Sequence, residues 1–170
     1  VDSLSASMGE GLLVYLAAQK AKNGASIDEV AKWVEDNKLN LCHWFTVDDL
    51  LFLKRGGRVS SAAALMGTAL GIKPVMHVDN EGHLIPISKV RGRRKSLDAL
   101  VAKMEESAIN PKEQVVFISH GDCLEDAEYL AKQIKSKLKV KDIKINTIGP
   151  VIGAHSGPGT MALFFLGSER

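Results

Sequence analysis

Apolar positions along this chain switch between a helical and a strand period, and the switches predict alternating helices and strands. Met8, Leu12, Tyr15 and Leu16 share one helical face, in a helix that Ser7 is placed to cap and Gly24 to end. Ser26 and Glu29 have capping-box spacing, which predicts a second helix to about residue 37. Residues 39–47 alternate as a strand, with Leu41, His43 and Phe45 on one face and Cys42, Trp44 and Thr46 on the other. A short helix is predicted over 48–54, stopped by Gly56-Gly57. Between 61 and 70 nearly every residue is small or apolar, which predicts a helix buried all round.

Strands predicted over 72–78 and 83–90 flank Asp79-Asn80-Glu81-Gly82, a hairpin signal with Gly82 suited to a left-handed position. The extended residue required before Pro74 agrees with a strand start at Lys73. Leu97, Leu100, Val101, Met104 and Ala108 stripe a helix that ends before Pro111. Residues 114–119 read as a core strand closing on His120-Gly121-Asp122, and Leu124, Ala127, Ala131, Ile134 and Leu138 stripe the helix that follows. Strands over 142–148 and 161–166 complete the series. The fold class is therefore α/β, a layered mixed β-sheet of about six strands flanked by helices.

A chain of 170 residues, 45% hydrophobic and 25% charged, can build a proper core and is not disordered in character. A net charge of +2, with two Trp and two Tyr, argues against nucleic-acid binding. Apolar runs fall well short of the roughly 20 residues of a membrane span, so no stable membrane insertion is expected. Cys42 and Cys123 sit in unrelated contexts, implying neither a disulfide framework nor a metal site. Two free thiols fit a cytoplasmic protein.

Four segments could carry chemistry. Residues 153–160, Gly-Ala-His-Ser-Gly-Pro-Gly-Thr, hold three glycines and a proline. They predict a tight irregular backbone that no helix continues through, with His155 beside exposed amides suited to a small anion. A plain turn explains the same composition. Lys54-Arg55-Gly56-Gly57-Arg58 combines close backbone approach with guanidinium forks, although cations also suit a helix C-terminus. Residues 89–95 gather five cations, Lys89, Arg91, Arg93, Arg94 and Lys95, at a strand-to-helix junction. Such a run serves as a solvated face or as a site for phosphate or an acidic partner. His120 and Asp122 stand at a strand's carboxyl end, where they suit proton transfer, while Asp122 equally suits a helix cap. His43, Cys42 and His77 lack ligand spacing and read as structural or surface positions. There is no P-loop, dinucleotide fingerprint, HExxH or GxSxG, and no complete catalytic set.

Taken in order, these motifs resemble the DegV family of bacterial fatty-acid-binding proteins. The resemblance rests on Asp2-Ser3 through Gly9 with Gly11-Leu12-Leu13, Asp49-Leu50, and Leu53-Lys54-Arg55-Gly56-Gly57-Arg58. It continues through Gly67, Ile72-Lys73-Pro74, Lys89-Val90-Arg91-Gly92, His120-Gly121 and residues 153–160. Family members have two α/β domains with an acyl chain held at and below their junction. By that resemblance residues 39–170 form a C-terminal α/β lipid-binding domain of DegV type. Residues 1–38 would be connecting helices that bridge to an N-terminal domain absent from this sequence.

The implied function is a non-enzymatic carrier in phospholipid metabolism. It would hold a long-chain fatty acid and present the carboxyl group to the catalytic subunit of a fatty acid kinase. His155, with Ser156 and Gly157, would hold the head group; Arg91, Arg58 and Arg93 would form a positive rim or kinase docking site. Ala62, Leu65, Met66, Ala69 and Leu70 would line the tail, and no cofactor or metal is implied. The competing reading is an enzyme acting on a small anionic substrate with His155 or His120 as acid or base.

Overall fold

The computed structural model describes residues 1–58 and 71–170. Its strands are β1 (Leu41–Thr46), β2 (Ile72–Val78), β3 (Leu84–Arg91), β4 (Val115–His120), β5 (Asp142–Thr147) and β6 (Met161–Leu166). They form one six-stranded sheet in the order β3-β2-β1-β6-β4-β5. Only the β4–β5 pair is parallel; the other pairs are antiparallel. The helices described are α1 (Met8–Lys22), α2 (Ile27–Asn37), α3 (Leu50–Arg55), α4 (Arg93–Ser107), α5 (Leu124–Leu138) and α6 (Pro150–Ser156). The layered mixed α/β sheet expected from the sequence is the architecture found.

Side-chain alternation along the central strands divides the core in two. Cys42, Trp44, Ile118, Leu163 and Phe165 point to one face, where Leu97, Leu100 and Met104 of α4 and Leu130 and Ile134 of α5 cover them. Leu41, Phe45, Met76, Phe117 and Phe164 point to the other face, under Leu12 and Leu13 of α1 and Leu53 of α3. Burial of this kind is the main favourable term, worth about 1.5–3 kcal/mol per large side chain. Pro74 is tolerated in β2 because β1 pairs only with His77 and Met76, leaving the proline nitrogen beyond the shared ladder.

Four local expectations change. Ser7 precedes α1 but its side chain makes no cap hydrogen bond, because its hydroxyl is engaged elsewhere. Asp122 does not cap α5 either: it takes a left-handed φ of 52°, and Cys123 is the residue before the helix. The Cys123 N–H instead donates to His120 Nδ1 at 3.2 Å. The buried stripe of α5 runs through Ala127, Leu130, Ile134 and Leu138, while Leu124 is 51% exposed. Residues 150–156 form a helix where composition predicted an irregular turn, since Pro150 suits its first turn and Gly157 ends it at φ 79°. The predicted helix over 61–70 lies outside the described residues.

The α5 assignment is testable by chemical denaturation. Leu130→Ala should cost about 2–5 kcal/mol through the cavity it leaves. Leu124→Ala should stay within about 0.5 kcal/mol of the wild type, as exposed substitutions do.

Candidate functional site

The second sheet face carries a cavity of about 320 Å³. Its floor follows from the strand register, in which Phe45 of β1, Ala162 of β6 and Ser119 of β4 lie side by side. Ala162 is the smallest of the three, and the missing bulk leaves space between its neighbours. Leu53, Leu84, Ile148, Val151 and Ile152 add apolar walls, with Arg58 and His155 also lining the space. No lining residue among those described is a carboxylate.

His155 occupies the last turn of α6, and its Nδ1 is buried without a hydrogen-bond partner among the described residues. A side chain at Gly56 would run into the imidazole of His155, so glycine is required there for space rather than for conformation. Gly157 combines a positive φ with the ring of Phe52 lying where a Cβ would project. The two glycine-bearing segments thus allow α3 and α6 to approach closely. The neighbouring hydroxyls are already occupied. Ser156 Oγ donates to Ile152 O at 3.0 Å, and Thr160 Oγ1 lies 2.9 Å from Ser156 O and 2.8 Å from Gly157 O. Among the described lining residues, His155 and Arg58 keep hydrogen-bonding capacity to spare, and Ser156 and Thr160 shape the His155 loop.

A second polar group lies on the floor. Ser7 Oγ donates to Ser119 Oγ at 3.1 Å, and Ser5 Oγ is 3.3 Å from His43 Nδ1. The His43 ring leans on Phe164 with ring centroids 4.6 Å apart. Burial, aided by the positive charge of Arg170 and by His77, holds His43 down to a pKa of about 3. The imidazole is therefore a neutral hydrogen-bonding group at physiological pH.

The structure brings together His155, Ser156 and Arg58 along the cavity. Gly157 ends the helix beside it. Arg91 is exposed at the end of the edge strand β3 and is not a lining residue. Arg93 is also absent from the lining: its Nε donates to Asp126 at 2.7 Å, and Nη1 is 3.7 Å from Asp48. It faces a separate depression with Cys123 and Asp122. His120 belongs to the opposite sheet face, where it accepts the Cys123 amide. Ala62, Leu65, Met66, Ala69 and Leu70 lie outside the described residues.

Sequence reading passed over His43, Ser7 and Ser119. The signal for His43 was available in the strand alternation that put it beside Leu41 and Phe45. Ser7 and Ser119 are 112 positions apart and carry no local signal. Burial raises the Cys42 thiol to about 12, which makes it inert, and also raises that of Cys123. Asp79, Glu81 and His83 meet on the β2–β3 hairpin, but Asp79 Oδ1 already accepts the amides of Glu81 and His83. That turn explains their proximity without an ion.

An α/β domain whose largely apolar cavity is lined by an imidazole with an unpartnered nitrogen has the features of a small-ligand pocket. The DegV family model matches residues 1–168, and the chain belongs to the DegV family. A DegV domain-containing protein of Clostridium perfringens is 55% identical over the whole chain, which spans 58% of that relative's length. A DegV lipid binding protein of Thermotoga maritima superposes with a TM-score of 0.87 at 32% identity, covering 100% of this chain and 59% of its own. A DegV family protein of Thermus thermophilus, described for its fatty acid binding, gives a TM-score of 0.87 at 31% identity, over 96% of this chain and 59% of its own.

Two measurements check this geometry. Gly56→Ala should shift the His155 ring resonances in NMR spectra and cost about 1–3 kcal/mol by overpacking. His43 provides the second. Its folded pKa lies below the unfolded value, so the unfolded chain binds more protons between about pH 6.5 and 3. Stability from this group is present above that window and lost as pH falls through it, by up to roughly 1.4 kcal/mol per pH unit. The difference between wild type and His43→Asn in urea titrations across this range should show that slope.

Proposed function

We propose that this chain supplies one part of a fatty-acid carrier, in which His155 bonds the carboxyl group of a long-chain fatty acid and the apolar cavity receives part of the tail. The observation that carries the reading is the His155 imidazole lining a largely apolar cavity, with its buried Nδ1 unpartnered against Gly56. The energetics suit retention. Burying about a dozen methylenes is worth on the order of 10 kcal/mol before ordering costs, at about 0.8 kcal/mol each. A charge-assisted hydrogen bond to the head adds roughly 1.5–3 kcal/mol. Tail burial dominates affinity, and His155 fixes orientation.

The fold relatives described as lipid or fatty acid binding support this ligand class. Because the chain spans 58% of its Clostridium relative, the complete site is proposed for the longer protein, with residues 39–170 as its C-terminal lipid-binding domain and residues 1–38 as the bridge. Presentation to a fatty acid kinase is the finer part of the proposal. Arg58 beside the cavity and exposed Arg91 at the sheet edge supply positive charge for that docking. Arg93 is a weaker contributor, because Asp126 and Asp48 already compensate it. The enzyme reading loses support from the absence of a His120–Asp122 pair and of a lining carboxylate among the described residues.

His155→Ala in the complete protein should lower co-purified fatty acid by roughly tenfold, the loss of one strong hydrogen bond. Mass spectrometry of a denaturing extract measures it. Unchanged acyl content would remove His155 from the head-group role, and hydrolysis of an acyl phosphate by the protein alone would favour the enzyme.

A further inference from the structure

The most heavily committed cation among the described residues lies outside the cavity. Arg170 Nε donates to Leu41 O at 3.0 Å, Nη1 to Leu4 O at 2.8 Å and Asp79 O at 3.1 Å, and Nη2 to Ser3 O at 3.0 Å and Lys38 O at 2.9 Å. A guanidinium has five N–H donors in a planar fork, and here all are matched by backbone carbonyls. The carbonyls come from three places: the loop over residues 3–7, the approach to β1 and the end of β2. No carboxylate takes part in this set, so the contacts serve to gather chain segments rather than to neutralise charge.

The loop over residues 3–7 needs such a tie. It has no helix or strand ladder to hold it, and Leu4 and Ser7 both adopt left-handed φ values, 50° and 56°. Each such residue costs roughly 1 kcal/mol or more and persists only where the surroundings fix it. The same loop delivers Ser5 to His43 and Ser7 to Ser119, the polar pairs at the cavity floor. The Arg170 charge also disfavours protonation of His43, which keeps that pair in its neutral form.

We propose that Arg170 is a positioning residue for the ligand cavity: its five-carbonyl clasp holds Ser5 on His43 and Ser7 on Ser119, and thereby sets how long a bound acyl chain is retained. The proposal rests on the fatty-acid reading of the cavity. Lysine cannot replace the clasp, because a single ammonium has three donors and no planar fork.

The test compares wild type, Arg170→Lys, Ser5→Ala and their double variant in the complete protein, with palmitate as the probe. Arg170→Lys should release palmitate roughly tenfold faster, and adding Ser5→Ala should accelerate release little further, as expected for coupled residues. In the ligand-free proteins, the His43 ring signals in 15N NMR should move in Arg170→Lys as they do in Ser5→Ala. Arg170→Ala should regain slow release on addition of methylguanidinium, a rescue that general loss of stability would not show. Wild-type His43 signals, a wild-type release rate in Arg170→Lys, or fully additive effects would overturn the proposal. A wild-type protein that takes up no palmitate would instead sink the fatty-acid reading, and the ligand-free His43 spectra would still decide the clasp.

Discussion

The central strand β6 is the constraint on which the rest of the molecule depends. It pairs antiparallel with β1 on one side and β4 on the other, and its residues alternate strictly between two cores. Met161, Leu163 and Phe165 anchor the face covered by α4 and α5. Ala162 and Phe164 serve the other face, and their difference in size shapes it. Phe164 fills its row between His43 and Phe117, while Ala162 leaves its row open between Phe45 and Ser119. A slip of one residue would send the large side chains to the cavity side and abolish the space. Register and cavity are therefore one property.

The cavity's polar chemistry is economical. Thr160, Ser156, Ser7 and Ser119 all have partners, and His43 is buried and neutral. An apolar ligand surface meets few polar atoms that must lose water without compensation. Among the described lining residues His155 and Arg58 depart from that pattern, and the proposed head-group role falls to His155. Positive charge follows the same division: Arg58 is at the cavity, Arg93 is compensated by aspartates on the far face, and Arg94 lies over the Tyr129 ring at 3.8 Å. A run of cations in sequence thus separates into side chains with different surroundings.

The layered fold was legible because the signals that specify it are local and periodic. The β1 alternation, the Asp79–Gly82 turn and the Ser26–Glu29 capping box each appear where the residues imply. One misreading arose where a distant partner outcompeted a local one. Ser7 has the chemistry of a helix cap, yet Ser119, 112 positions away, engages its hydroxyl; Asp122 fails for a local reason, since it takes a left-handed φ of 52° and Cys123 stands before α5. Residues 150–156 show the same limit from the other side. Their glycine content opposes a helix, but proline at its start and close contact with α3 sustain a short one of about two turns. The composition of residues 153–160 marked His155 as a candidate and the resemblance supplied its role, whereas His43 required only that the strand alternation be taken to its conclusion.

Two motifs about a hundred residues apart turn out to be halves of one contact. Gly56 is glycine because the His155 ring occupies the place of its side chain, and Gly157 is glycine partly because Phe52 occupies the place of its own. Each segment thus supplies the bulky group that the other accommodates, so neither motif has its full physical reason in its own neighbourhood. Read alone, residues 54–58 suggest an anion fork and residues 153–160 suggest a turn. Packed together they fix one imidazole against backbone, leaving its ring few alternatives in rotation or position. In the proposed carrier that restriction matters, because tail burial would supply affinity without direction and one well-held hydrogen-bonding group would supply the orientation.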